Sequence, residues 1–139
     1  MPLEGLSMRP SSILVIDDEE RIRRALRMLL ERAGYRVREA RGGQDAIRLW
    51  REEEGDLVIT DIHMPDKDGI ETILELRALS PRVPIIAVSG SGEQTCRELL
   101  RNAKLSGPIR TMDKPFGLTE VLDCVRESLG APGLKEDSA

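Results

Sequence analysis

The chain has 139 residues, 40% hydrophobic and 33% charged, with a formal net charge of −4. That length suits one domain, and the balance is that of an ordinary globular protein. The charge opposes binding to a nucleic acid backbone or an anionic membrane, Tyr35, Trp50 and Phe116 are too few for a base-stacking surface, and no apolar stretch nears the roughly 18 residues that span a bilayer.

The N-terminal "MPLEGLSMRP" lacks the long apolar region of a secretory signal. Cys96 and Cys124 are the only cysteines. Both read as small apolar fillers of helices in a reducing cytosol, because a disulfide framework or a zinc site needs more ligands at tighter spacing.

In chain order, "SILVID" (12–17) is a nearly continuous apolar run and predicts a strand buried on both faces. Ile22, Ala25, Leu26, Leu29, Leu30 and Ala33 then recur at helical spacing, and Gly34 stops that helix. "YRVREA" (35–40) alternates like a half-exposed strand at a sheet edge. Ala46, Ile47, Leu49 and Trp50 form a second helical face, with Trp50 flanking the core.

"DLVIT" (56–60) is another buried strand. The helix after it carries Ile70, Ile73, Leu74 and Leu76 and ends at Ser80-Pro81. "VPIIAVS" (83–89) is a third buried strand, followed by a weaker helix marked by Cys96, Leu99, Leu100 and Ala103. "PIRTMDK" (108–114) is the faintest strand. Leu118, Val121, Leu122, Val125 and Leu129 define the last helix, which Gly130, Pro132 and Gly133 break. Residues 1–10 and 131–139 read as a flexible leader and a loose tail or linker around a single folded unit, 11–130.

Strands and helices alternate throughout, which predicts an α/β parallel sheet with helices on both faces. Ligands of such sheets sit beyond the carboxyl ends of the strands. Here those ends carry Asp17, Asp18, Glu19 and Glu20 after the first strand, Asp61 after the third, Ser89 on the fourth and Lys114 on the fifth. If the first and third strands are neighbours, about 4.8 Å apart, Asp17, Asp18 and Asp61 converge. Two unit charges about 4 Å apart repel by about 4 kcal/mol at an effective dielectric of about 20. Lys114 offsets one charge, and a hard divalent cation such as Mg²⁺, which favours carboxylates plus phosphate oxygens, offsets two. The sum is neutral, and a phosphoryl group can then approach. Asp61 becomes a candidate nucleophile that forms an aspartyl phosphate, with Ser89 able to donate to a phosphoryl oxygen. Pro65 and Gly69 shape the loop after it.

"LVIDDEE" (14–20), "DLVITDIHMPDKDG" (56–69), "IIAVSG" (85–90) and "DKPF" (113–116), in that order and spacing, resemble the receiver domain of two-component response regulators across roughly residues 12–130. The resemblance implies a flavodoxin-like (βα)5 doubly wound sheet with strand order 2-1-3-4-5. It implies that Asp61 accepts a phosphoryl group from a phosphohistidine on a histidine kinase or histidine phosphotransfer protein. Mg²⁺ would be held by Asp18, Asp61 and the backbone carbonyl of His63, with Asp17 acting largely through water. Ser89 and Lys114 would hold the phosphoryl oxygens, and Lys114-Pro115 would be cis. Such a chain is a cytoplasmic phospho-acceptor switch rather than an enzyme with an outside substrate. It would signal to a downstream protein, or relay the phosphoryl group, without touching nucleic acid itself.

One departure stands out. Thr111 occupies the position of the family's aromatic switch residue, and Gly107-Pro108 replaces the usual Gly-Ala pair. Coupling from Ser89 to an aromatic rotamer is therefore not expected in its usual form. Two rivals follow. One is a Mg²⁺-dependent phosphohydrolase with an aspartate nucleophile, although His63 stands where such enzymes commonly have a second acid. The other is a receiver-like module that binds partners independently of phosphorylation. Asp66 and Asp68 read as loop and capping residues. His63 and Ser91 are candidates for controlling water access to the acyl phosphate. Arg21, Arg23, Arg24 and Arg27 read as a solvated face with a docking patch as the alternative.

Overall fold

The computed structural model describes residues 8–62, 69–90, 107–130 and 134–136. The elements are Met8–Pro10 (β1), Ser12–Ile16 (β2), Glu20–Arg32 (α1), Arg36–Ala40 (β3), Gly43–Glu52 (α2), Leu57–Asp61 (β4), Gly69–Leu79 (α3), Ile85–Ser89 (β5), Ile109–Asp113 (β6), Leu118–Leu129 (α4) and Leu134–Glu136 (β7). Five of the strands form one parallel sheet in the order β3-β2-β4-β5-β6. Numbered from its own first strand, that sheet has the expected 2-1-3-4-5 order. The predicted helix around Cys96–Ala103 lies outside the described residues, as do His63, Pro65, Asp66, Asp68 and Ser91.

The sheet is buried on both sides because its central strands are apolar at every position. Side chains alternate across the pleat. Leu14 and Ile16 therefore join Val58, Ile85 and Ala87 under α2 and α3. Ile13 and Val15 join Leu57, Ile59, Ile86 and Val88 under α1 and α4. Burying one such side chain contributes about 1.5–3 kcal/mol, so the unbroken apolar runs of β2, β4 and β5 specify the middle of the sheet.

The edges obey different arithmetic. β3 pairs only with β2, and of its five residues only Val37 and Ala40 are buried. β6 pairs only with β5 and buries Met112 alone. One outer face needs little apolar cover, which is why this strand is the faintest in the sequence. Trp50 lies fully within the core, not at its flank, and its indole N–H donates to Ser80 Oγ at 2.8 Å.

Helix α1 ends as its glycine predicts. Gly34 has φ of 101°, its N–H donates to the Glu31 carbonyl at 3.0 Å, and the Tyr35 N–H donates to the Leu30 carbonyl at 3.1 Å. That pair of bonds is the Schellman closure. It takes Tyr35 into the helix cap, so β3 begins one residue later than the alternation suggests.

The two terminal segments expected to be loose contain a short pairing: β1 runs antiparallel to β7, with Met8 opposite Glu136. Arg9 also meets Asp56 at 3.5 Å. Three-residue strands give almost no hydrophobic period, so neither was legible in the sequence.

The expected arginine cluster on α1 divides. Arg23 is buried, donating from Nε to Glu39 at 3.0 Å and from Nη1 to the Asp17 carbonyl at 2.9 Å. Arg27 pairs with Glu31 and Glu39, and Arg24 with Glu20. Only Arg23 is thus committed within the fold, while Arg24 and Arg27 stay exposed in surface ion pairs, as a solvated face would have them.

Close approach accounts for glycine at position 69. Its N–H donates to the Ile62 carbonyl at 3.1 Å. A Cβ there would lie 2.3 Å from Ile62 Cα and 2.4 Å from the Asp61 carbonyl oxygen. Both are backbone atoms of the segment that carries the candidate nucleophile. We expect Gly69→Ala to lower folding stability by about 2–3 kcal/mol, measured by chemical denaturation. A change within about 0.5 kcal/mol would mean that α3 can step back from β4.

Candidate functional site

Parallel pairing brings the carboxyl ends of β2, β4, β5 and β6 to one rim. Asp17 follows β2, Asp61 ends β4, Ser89 ends β5 and Lys114 follows β6. One carboxylate oxygen from each of Asp17, Asp18 and Asp61 lies within 4.8 Å of the others. Asp17 and Asp61 are buried and Asp18 is exposed. Lys114 reaches back across the rim, with Nζ 3.1 Å from Asp61 Oδ2 and 3.5 Å from Asp17 Oδ2. The four charges predicted to meet are therefore together.

Two of them are fixed by backbone bonds. The Lys114 N–H donates to the Ser89 carbonyl at 2.8 Å, and the Asp17 N–H donates to the Ala40 carbonyl at 3.2 Å. Asp17 Oδ1 accepts the Glu19 N–H at 2.9 Å, an Asx turn that leads into α1. Asp17 thus serves both the turn into α1 and the charge cluster, while the helix's N-cap residue, Glu19, makes no side-chain cap bond. The Lys114-Pro115 peptide is cis.

Burial pushes the Asp17 carboxyl above its ordinary value, with the Glu19 amide and then the Lys114 charge pulling the other way. Burial depresses Lys114, but the charge on Asp17, the hydrogen bond to Asp61 and that carboxylate's charge together hold it above the ordinary lysine value. The ammonium is thus firmly charged, and burial works against the charge on Asp17.

The donor set is hard oxygen throughout, close enough to converge on one ion, and two of its carboxylates are buried. That chemistry fits a small divalent cation held by a pair of carboxylates and favours Mg²⁺ over thiolate- or imidazole-seeking metals. His63, whose carbonyl was expected as a further ligand, lies outside the described residues.

Three contributors were given no role in the site from the sequence, although Glu19 was placed at this strand end. Glu19 places Oε1 3.8 Å from Lys114 Nζ, although its side chain is largely exposed. Arg23 grips the Asp17 carbonyl. Asp113 accepts a hydrogen bond from Ser89 Oγ at 3.0 Å. The one signal for Asp113 was its place in the "DKPF" motif, and that it stands beside Ser89 follows from the β5–β6 register. Cys124 is half-buried against the core, and burial raises its thiol, as expected of a filler. Cys96 lies outside the described residues.

Comparison with known proteins agrees with this fold. The family described as response regulator receiver domain matches residues 13–126. The DNA-binding transcriptional regulator NtrC of Bradyrhizobium sp. (strain RP501 Parasponia) is 37% identical over 128 residues, covering 90% of this chain and 25% of that protein. The transcriptional regulatory protein ResD of Bacillus subtilis (strain 168) is 45% identical over 87 residues, 63% of this chain and 36% of that protein. The chain therefore spans well under half of these relatives. Among solved structures, the signal receiver domain of an HD domain-containing protein from Pseudomonas fluorescens Pf-5 superposes with a TM-score of 0.80 at 28% identity, covering 88% of this chain and 96% of that one. With the sheet order, the acidic rim and the reaching lysine all in place, the chain belongs to the response regulator receiver domain family of two-component signalling.

Proposed function

We propose that Asp61 is the phospho-acceptor, that Asp17, Asp18 and Asp61 hold Mg²⁺, and that Ser89 and Lys114 hold the incoming phosphoryl oxygens. The carrying observation is the Lys114 Nζ contact to Asp61 Oδ2 at 3.1 Å inside a cluster of three converging carboxylates. An Asp61 oxygen attacks the phosphorus of a phosphohistidine. The new O–P bond forms as the P–N bond breaks, and the electron pair returns to the imidazole nitrogen of the donor. No proton needs to leave the carboxylate, so the chain supplies positioning and charge rather than a general base. Lys114 neutralises one charge at the nucleophile, and Ser89 offers a hydroxyl. Bound Mg²⁺ would offset negative charge on the phosphoryl oxygens, and the His63 carbonyl completes the expected ligand set.

The donor is a histidine kinase or a histidine phosphotransfer protein, and the output is a changed surface read by another protein or a further phosphoryl relay. We infer no outside substrate. A cytoplasmic setting belongs to the same reading. Among the described residues no helix is long and apolar enough to cross a membrane. DNA binding is named for the NtrC relative. With a charge of −4, we place any nucleic acid contact outside this chain. Thr111 is exposed on an edge strand, which favours an output route other than an aromatic turning inward.

We expect acetyl phosphate with Mg²⁺ to add one phosphoryl group to the wild type, read by intact-protein mass spectrometry, and none to Asp61→Asn. Sustained turnover of small phosphate esters would instead establish the phosphohydrolase reading. Absence of any adduct, with partner binding retained, would establish the phosphorylation-independent module.

A second expectation follows from Asp17. Its folded-state value is raised above 3.8, so between 3.8 and that value the folded chain binds more protons than the unfolded one. Stability therefore falls as pH rises through this window. In chelator, Asp17→Asn should melt higher than the wild type at pH 7, and the gap should close as pH drops toward 3.8. Adding Mg²⁺ should raise the wild-type midpoint more than that of the variant. A pH-independent gap in chelator would mean that burial does not work against the Asp17 charge, and an equal Mg²⁺ response in both proteins would remove Asp17 from the metal site.

A further inference from the structure

Ser89 ends β5 and is 1% exposed. Its Oγ lies 3.0 Å from Asp113 Oδ1. An ionised carboxylate only accepts, so the hydroxyl is the donor. The pairing is set by the sheet: Ser89 stands opposite Asp113 in the β5–β6 register, and the Lys114 N–H on the Ser89 carbonyl at 2.8 Å locks the strand ends together. The register keeps the two residues side by side, while each side chain can still turn about its own χ1.

A serine hydroxyl carries one proton. Under the reading in "Proposed function", on which this inference rests, that proton must go to a phosphoryl oxygen on Asp61. The same proton is held by Asp113 before the group arrives. We propose that Asp113 is a positioning residue: it retains the Ser89 hydroxyl in the unphosphorylated chain, so phosphoryl capture proceeds by exchange of one charged acceptor for another. Asp113 is exposed, so water can reach its carboxylate when the hydroxyl turns away, and the exchange is reversible. A device of this kind needs no aromatic at position 111.

The experiment measures binding of beryllofluoride, a phosphoryl stand-in, by ¹⁹F NMR at fixed Mg²⁺. The proteins are wild type, Asp113→Ala, Asp113→Asn, Ser89→Ala and the Ser89→Ala/Asp113→Ala double variant, each first shown by circular dichroism to melt cooperatively. Releasing a hydroxyl from a charged acceptor should tighten binding about tenfold in Asp113→Ala. Asp113→Asn, whose amide oxygen still accepts but without charge, should fall between. In the Ser89→Ala background, Asp113→Ala should change affinity by less than about twofold, because no hydroxyl remains to release. Equal gains in both backgrounds would mean that Asp113 acts only through its charge, and no gain in either would mean that it does not act at all. Either result overturns the proposal while leaving Asp61 as acceptor. A wild type that neither binds beryllofluoride nor takes a phosphoryl label from acetyl phosphate would overturn both readings together.

Discussion

Like charges gathered at one rim are the constraint around which the rest of this molecule is arranged. Three carboxylate groups with oxygens inside 4.8 Å repel each other by several kcal/mol at the dielectric of a protein surface. Nothing in the local sequence of β2 or β4 relieves that. Relief comes from Lys114, which joins the cluster only because β6 lies parallel to β5 with its end at the same height. The fold and the charge cluster are thus mutually dependent: the sheet order delivers the ammonium, and the ammonium makes the acidic rim tolerable. What repulsion remains favours positive charge at this rim.

The supporting contacts hold backbone more than side chain. Arg23, buried in α1, takes the Asp17 carbonyl and Glu39 together and so ties the end of β2 to β3. At the opposite rim, Arg77 from α3 bonds the carbonyls of Val83 and Pro108 and so links the segments that lead into β5 and β6. Burial lowers its guanidinium below the ordinary arginine value. Two arginines, one at each end of the sheet, therefore brace strand termini. Such braces suit a site whose chemistry depends on where groups stand and not on a strained nucleophile.

The central sheet and most of the site were legible because they rest on simple periods. Unbroken apolar runs marked β2, β4 and β5, and a polar residue closing each run marked the rim. Asp17, Asp61, Ser89 and Lys114 followed from that logic before any contact was known. Other features depended on information that the sequence carries only weakly. β6 buries one side chain and so has almost no pattern. Trp50 read as a flanking residue because its single polar atom hides its partner, Ser80, thirty positions away. Arg23 read as solvated because an arginine inside a charged helix looks like its neighbours until Glu39 and the Asp17 carbonyl are placed beside it. The β1–β7 pairing joins the two ends of the chain, where three-residue segments carry no signal. Asp113 was visible only as part of a motif, since its role depends on the direction in which one hydroxyl points.

The bond from the Gly69 N–H to the Ile62 carbonyl gathers the chain into a narrow neck just after Asp61. Ile62 is in turn tied to Val88 on the next strand by its own N–H, at 3.0 Å. Chain leaving at 62 must come back at 69 to the same spot, where the first turn of α3 rests on the backbone of Asp61 and Ile62. A push on that turn is therefore felt at once by the strand end, and a shift of the strand end is felt by the helix. The contact is a short mechanical linkage between a rim of the sheet and the helix that covers it.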